Sequence, residues 1–201
     1  MDRMKWVLVG LGNPGKEYKD TRHNAGRKFV ERIAKRFGAR FRKKSLYKIA
    51  KIQIFDKELN LLLPETFMNL SGKAVSEFLK SNPIPLSNLV VVLDDMDIPP
   101  GEIRIRKKGE GGTHKGLKSL ISELSSSEFI RIRIGIGRPE RERVNYVISP
   151  FTSDELVLLE KAFEKAEKAL ELLIDGKIDE AMNRFNRRIS PCSSLREGLK
   201  P

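Results

Sequence analysis

Residues 9–26 read VGLGNPGKEYKDTRHNAG. An apolar run, Lys5 to Val9, enters this stretch and breaks into three glycines and a proline. A polar loop follows and carries His23, one of only two histidines in the chain. From Ala25 to Phe37 the apolar residues Phe29, Val30, Ile33, Ala34 and Phe37 recur at helical spacing. Strand, glycine turn, polar loop and helix in that order predict the first unit of an α/β fold. The same stretch admits two functional readings, a nucleotide cradle and a hydrolytic site.

The cradle reading rests on Gly10-x-Gly12-x-x-Gly15, which matches the dinucleotide fingerprint. That fingerprint needs a helix starting within the glycines, so that its N-terminus faces a pyrophosphate. Here Pro14 interrupts it, residues 16–23 lack an apolar stripe, and the helix starts only near Asn24. The required acid is also missing from a second strand end, since Glu31 falls inside the helix. The expectation is therefore no nucleotide cofactor.

Outward from this stretch, strands and helices alternate. Leu46 to Phe55 reads as a strand, Asp56 to Asn60 as a turn, and Leu61 to Leu63 as the start of a partner strand. Ser71 to Leu79 reads as a helix, and Leu89 to Leu93 as an interior apolar strand. Pro99-Pro100-Gly101 forces a turn. Residues 102–106 and 129–136 alternate as strands, with Arg104, Arg106, Arg131 and Arg133 opposite isoleucines. A glycine-rich loop, 109–116, leads into a helix through Leu117 and Leu124. Thr152 with Glu155 three residues later is a capping-box pattern opening a long helix to about Ile174, and a short helix follows over 179–187. The expected fold is α/β: a single domain over 1–189, with a twisted, mixed, mostly parallel sheet flanked by helices. Residues 190–201 have no apolar period and read as a loosely ordered tail.

The chain has 201 residues and a formal net charge of +12. Basic residues cluster at 27–51, at 104–118 and around Arg184, Arg187 and Arg188. Such a surplus suits a polyanionic partner such as nucleic acid, although charge-rich surfaces also mark thermostable proteins. The single cysteine, Cys192, excludes an internal disulfide. No segment approaches 18 consecutive apolar residues, so a soluble, cytoplasmic protein without membrane attachment is expected.

A hydrolase working without a metal needs a base titrating near neutrality, which points to His23, and a carboxylate to fix its tautomer. Asp94 and Asp95 end the apolar strand, and ligands of open α/β sheets bind at strand C-termini. Asn13 and Asn69 follow strands and could donate to a carbonyl oxygen gaining charge, or serve only as turn residues. The Gly109–Gly116 loop lacks the Gly-Lys-Ser/Thr ending of a phosphate-binding P-loop. His23 and His114 have no ligand spacing that predicts a metal.

These motifs resemble the bacterial peptidyl-tRNA hydrolase family. The matching segments, in order, are VGLGNPGKEYKDTRHNAG, PETFMNLSGKAV, LDDMDIPPG, GLKS, RIRIGIGRP and AMNRFN. The resemblance implies a monomeric, cofactor-free cytoplasmic enzyme that cleaves the ester between a peptide, or an N-blocked amino acid, and the 3′ end of tRNA. It implies that His23 activates water, that Asp94 holds and charges His23, and that Asn13 senses the blocked amino group. Asn69 would orient the substrate, with Phe67 and Met68 lining the site. Tyr18 would contact tRNA, and Arg106 and Arg133 would meet the tRNA 5′-phosphate end. One position departs from the family's usual His-Asn-Gly: here the chain has His114-Lys115-Gly116. His114 and Lys115 are expected on the substrate side, with Lys115 adding electrostatic affinity for tRNA, or else, if it stands close to His23, disturbing the water network or lowering the His23 pKa. The competing reading is a non-catalytic RNA-binding relative, which would have no need of a water-activating His–Asp pair.

Overall fold

The computed structural model describes residues 4–139 and 143–186. The expected tail at 190–201, Cys192, Arg187 and Arg188 lie outside the described residues. Seven strands form one sheet: β1 (Lys5–Gly10), β2 (Arg42–Lys43), β3 (Tyr47–Ile54), β4 (Lys57–Pro64), β5 (Leu89–Asp95), β6 (Ile103–Arg106) and β7 (Ile130–Gly135). Their spatial order is β2-β3-β4-β1-β5-β7-β6. The central strands β4, β1, β5 and β7 are mutually parallel, while β2, β3 and β6 add on antiparallel.

The apolar run of β1 follows from its central place, because a strand covered on both faces has no reason to alternate polarity. Trp6 and Leu8 face one core, with α1 (Ala25–Arg36), α5 (Ser153–Ile174) and α6 (Ile178–Phe185). Val7 and Val9 face the other, with α2 (Ser71–Ser81) and α3 (Lys115–Leu124). One further short helix, α4 (Arg143–Val147), precedes α5. The capping box is present: Thr152 N–H donates to Glu155 Oε2 at 2.7 Å, and Glu155 N–H donates to Thr152 Oγ1 at 3.3 Å.

Two local expectations change. The turn expected over 56–60 is shorter, because β3 and β4 pair as far as Ile54 opposite Lys57. Phe55 takes the left-handed conformation, φ 55°, that lets the chain reverse so tightly. Asn60 is then buried mid-strand, where its amide donates to Trp6 O. The basic cluster at 27–51 is in part neutralised within the fold. Arg32 and Arg36 of α1 pair with Glu160 and Glu167 of α5. Arg27 is buried and bonded to Glu65 and Pro64 O. Arg32 and Arg36 thus fasten α1 to α5, whereas Lys35, Arg40, Arg42, Lys43 and Lys44 form no ion pair among the described residues.

Candidate active site

The loop between β1 and α1 is shaped by contacts that leave no room for side chains. At Gly26, a Cβ would stand 2.1 Å from Val92 O. The first turn of α1 therefore lies directly on β5. Leu11 N–H donates to Val92 O and Arg27 N–H donates to Leu11 O, which closes the junction. Gly15, at φ 113°, turns the chain outward into two short 3-10 turns, Lys16–Tyr18 and Arg22–Asn24. No helix begins among the glycines, so nothing there presents an N-terminus to a pyrophosphate.

Contact between Gly26 and Val92 sets the chemistry. His23 lies three residues before Gly26, and Asp94 two residues after Val92. His23 Nδ1 lies 2.9 and 3.0 Å from the two oxygens of Asp94. A carboxylate only accepts, so Nδ1 carries the proton and the lone pair of His23 is on Nε2.

A second imidazole completes the arrangement. His114, the N-cap of α3, accepts from Leu117 N–H at Nδ1 (3.2 Å), and its Nε2 is 3.1 Å from Asp94 Oδ1. The backbone donor fixes the tautomer: Nδ1 is bare, and Nε2–H donates to Asp94. His114 thus contacts the carboxylate rather than simply facing substrate, which sequence reasoning missed. Its ring centroid is 4.8 Å from that of His23. The ligand atoms of His23, Asp94 and His114 all lie within 4.8 Å of one another, as a metal would require. A metal on His114 Nε2 would need that proton moved to Nδ1, against Leu117 N–H. The cluster is built for hydrogen bonds.

Asp94 is 4% exposed. Burial alone would raise its carboxyl, but the two imidazoles hold it well below the usual carboxylate range. Burial works to lower the His23 value. The charge and hydrogen bond of Asp94 overcome this and leave it raised, with Lys115 opposing in part.

A cleft of about 1010 Å³ opens over this pair. Asn13 stands at its edge with its amide orientation fixed. Its Oδ1 accepts from Met68 N–H at 2.7 Å, so its NH₂ group is left to donate. Asn24 clamps the Asn13 backbone from both sides, through Asn13 N–H to Oδ1 (2.8 Å) and Nδ2 to Asn13 O (2.9 Å). Asn24 was not singled out from the sequence; its place right after His23 was the available signal. Asn69 is exposed on the cleft wall, and Phe67 beside it is 58% exposed. Met68 is buried beneath them.

Arg106, Lys115 and Arg133 also line the cleft. Arg133 is bonded to Asp95 through Nε at 2.5 Å, whereas Arg106 and Lys115 form no ion pair among the described residues. Tyr18, half-buried in its 3-10 turn, is not among the cleft-lining residues. Arg131 lies on the cleft side of β7 with Arg133, as the alternation predicts, but is buried there. It is 2% exposed, stacked 4.7 Å from the Phe129 ring centroid, and bonded to Ser127 O, with Nε lacking a partner.

Residues 7–192 match the family model described as peptidyl-tRNA hydrolase. The chain belongs to this family. Peptidyl-tRNA hydrolase from Syntrophomonas wolfei is 46% identical over 182 residues, covering 90% of this chain and 99% of the relative. The protein of that name from Alkaliphilus metalliredigens is 44% identical over 185 residues, covering 90% and 99%. Among solved structures, peptidyl-tRNA hydrolase from Acinetobacter baumannii superposes with a TM-score of 0.86 at 35% identity, covering 92% of this chain and 97% of that one. The mixed sheet and its flanking helices are thus those of a peptidyl-tRNA hydrolase.

Proposed function

We propose that this chain hydrolyses the ester joining a peptide, or an N-blocked amino acid, to the 3′ end of tRNA, with His23 as the base. The observation that carries the reading is the His23–Asp94 pair at the floor of the cleft, in a chain of this family. His23 Nε2 takes a proton from water, which attacks the ester carbonyl carbon. Asp94 stabilises the imidazolium that forms. The imidazolium then protonates the departing ribose oxygen, so the proton taken from water leaves with the tRNA. An ester is already activated, and a positioned water with one base and an oxyanion donor suffices for its cleavage. The cleft offers the amide of Asn69 for the donor role. No step calls for a metal or cofactor.

Asn13 supports selectivity for blocked substrates. With its oxygen held by Met68 N–H, it presents only donors. A donor fits the acyl carbonyl of a blocked α-nitrogen and repels a free α-ammonium. The tRNA itself would lie along Arg106, Lys115 and Arg133, read through its phosphates and shape. Tyr18 would contact the tRNA outside the cleft. No helix among the described residues is long and apolar enough to cross a membrane. We place the enzyme in the cytoplasm as a monomer, to be checked by its elution in size-exclusion chromatography.

The test is release of N-acetyl-amino acid from N-acetyl-aminoacyl-tRNA, beside the unblocked ester. His23→Ala is expected to abolish turnover and leave tRNA binding largely intact. A His23→Ala protein that cleaves at the parental rate would overturn the mechanism.

A further inference from the structure

We propose that Lys115 is a positioning residue that weakens the hold of His23 on a proton by presenting an unneutralised ammonium to the cleft they share. The inference rests on the catalytic reading of His23 given above. Lys115 is the first residue of α3, directly after His114, whose ring lies 4.8 Å from that of His23. It is exposed, lines the same cleft, and has no carboxylate partner among the described residues.

Most of the other charges around His23 are paired. From β5 come Asp94, against His23 itself, and Asp95, which is bonded to Arg133 of β7. His114 is hydrogen-bonded between Leu117 N–H and Asp94. Beside His23 in its own turn, Arg22 is paired with Glu155 of α5 and bonded to Tyr146 O of α4. Arg106 of β6 and Glu110 of the 107–114 loop face the cleft with opposite signs. Asp94 is then the group that favours the imidazolium; burial opposes it first, and Lys115 is the charged group that adds to that opposition.

The two have different effects over the reaction. Asp94 is needed when the imidazolium forms, but in the resting enzyme it draws in a proton that would disable the base. An ammonium in the cleft offsets that resting attraction, and does so where salt and substrate can reach it. Burial and Asp94 set the larger influences on His23, and Lys115 acts to lower it.

Two histidines make a direct test available. The imidazole CH signals of the free protein are titrated by NMR, with His114→Gln used to assign them. Lys115→Met is expected to move the His23 midpoint upward, Lys115→Arg to leave it near the parental value, and 0.5 M KCl to raise the parental midpoint but not that of Lys115→Met. An unmoved His23 midpoint in Lys115→Met overturns the proposal. So does an equal upward shift in Lys115→Arg, which would point to a structural cause. In hydrolysis of N-acetyl-aminoacyl-tRNA, Lys115→Met should lose roughly threefold in kcat at pH 6 and little at pH 8.5. A role confined to tRNA affinity would raise KM at both pH values and leave kcat alone, overturning the proposal. Because the titration uses no substrate, absence of hydrolase activity in the parental protein would refute the proposed function without touching the His23 measurement.

Discussion

Replacing Asp94 by asparagine tests the proton arrangement more sharply than deleting His23. In the native site, three N–H···O contacts converge on the carboxylate: two from His23 Nδ1 at 2.9 and 3.0 Å, and one from His114 Nε2 at 3.1 Å. Asparagine has one accepting oxygen and one donating NH₂. His114 cannot change tautomer to meet the NH₂, because its Nδ1 already accepts from Leu117 N–H. It therefore claims the amide oxygen. The NH₂ is left about where Oδ2 stood, 3.0 Å from His23 Nδ1. The amide oxygen stays 2.9 Å from His23 Nδ1, but the NH₂ now opposes Nδ1–H, which weakens the hold on that tautomer and favours the proton on Nε2, where it blocks the lone pair needed for water. The charge that stabilises imidazolium is lost as well. In the serine-protease triad an analogous change costs about 10⁴ in kcat. We expect a loss of about 10³–10⁴ here, or ~4–5.5 kcal/mol of transition-state stabilisation, with KM nearly unchanged. The assay is single-turnover release from N-acetyl-aminoacyl-tRNA across pH 6–9, with CD spectra to show an intact fold. An Asp94→Asn protein within tenfold of the parental rate would refute the tautomer argument.

Other perturbations probe the scaffold. Gly26→Ala puts a methyl 2.1 Å from Val92 O; it should cost about 3 kcal/mol in urea unfolding and also slow hydrolysis, since the displaced helix carries His23 away from Asp94. Arg22→Met removes a buried guanidinium bonded to Glu155, Ser149 and Tyr146 O and should destabilise by about 3–5 kcal/mol, because Glu155 is left without its partner. Arg131→Met, by contrast, removes a buried charge with no ion pair among the described residues and an unsatisfied Nε; its unfolding free energy should be equal or higher by ~1 kcal/mol, and a loss above about 2 kcal/mol would show that the Phe129 and Ser127 contacts matter more. The pH dependence of unfolding should carry both signs: the Asp94 contribution is full above its unfolded value of 3.8 and is lost as pH falls toward its depressed folded value, whereas the His23 contribution is full below 6.5 and is lost as pH rises through its raised folded value. His23→Gln should remove the second slope, measured by urea unfolding between pH 5 and 9.

The parts of the site legible in the sequence are those set by chain-local geometry. The late helix start after Gly15, the apolar strand ending in Asp94 and the loop carrying His23 can all be read from residue order. Once the strands are placed side by side, His23 and Asp94 have to meet. What could not be read depends on backbone donors at a distance. Leu117 N–H fixes His114, and Met68 N–H fixes Asn13, and neither amide differs from any other in a one-letter string. The burial of Arg131 was missed for a related reason. Alternation separates the faces of β7 but does not say which face another loop covers. The turn at Phe55 was misplaced because a phenylalanine seldom takes positive φ, so turn chemistry pointed to the polar residues after it.

Net charge is also two quantities, although the sequence shows one. Arg27, Arg32 and Arg36 carry positive charge paired with glutamates of the same chain, tying α1 to the segment just after β4 and to α5. Arg106 and Lys115 carry charge that meets no acid among the described residues and stands along the cleft. Added salt weakens both sets, but only partly exposed pairs respond strongly. The two sets can therefore be separated. Salt dependence of unfolding reports the α1–α5 pairs and should shrink in Glu167→Gln, with binding to uncharged tRNA unaffected. Salt dependence of tRNA binding reports the cleft and should shrink by about one counterion in Arg106→Gln, with unfolding unaffected. If Glu167→Gln changed the binding slope as much as Arg106→Gln did, the division would fail, and the basic surplus would have to act on tRNA as a diffuse field.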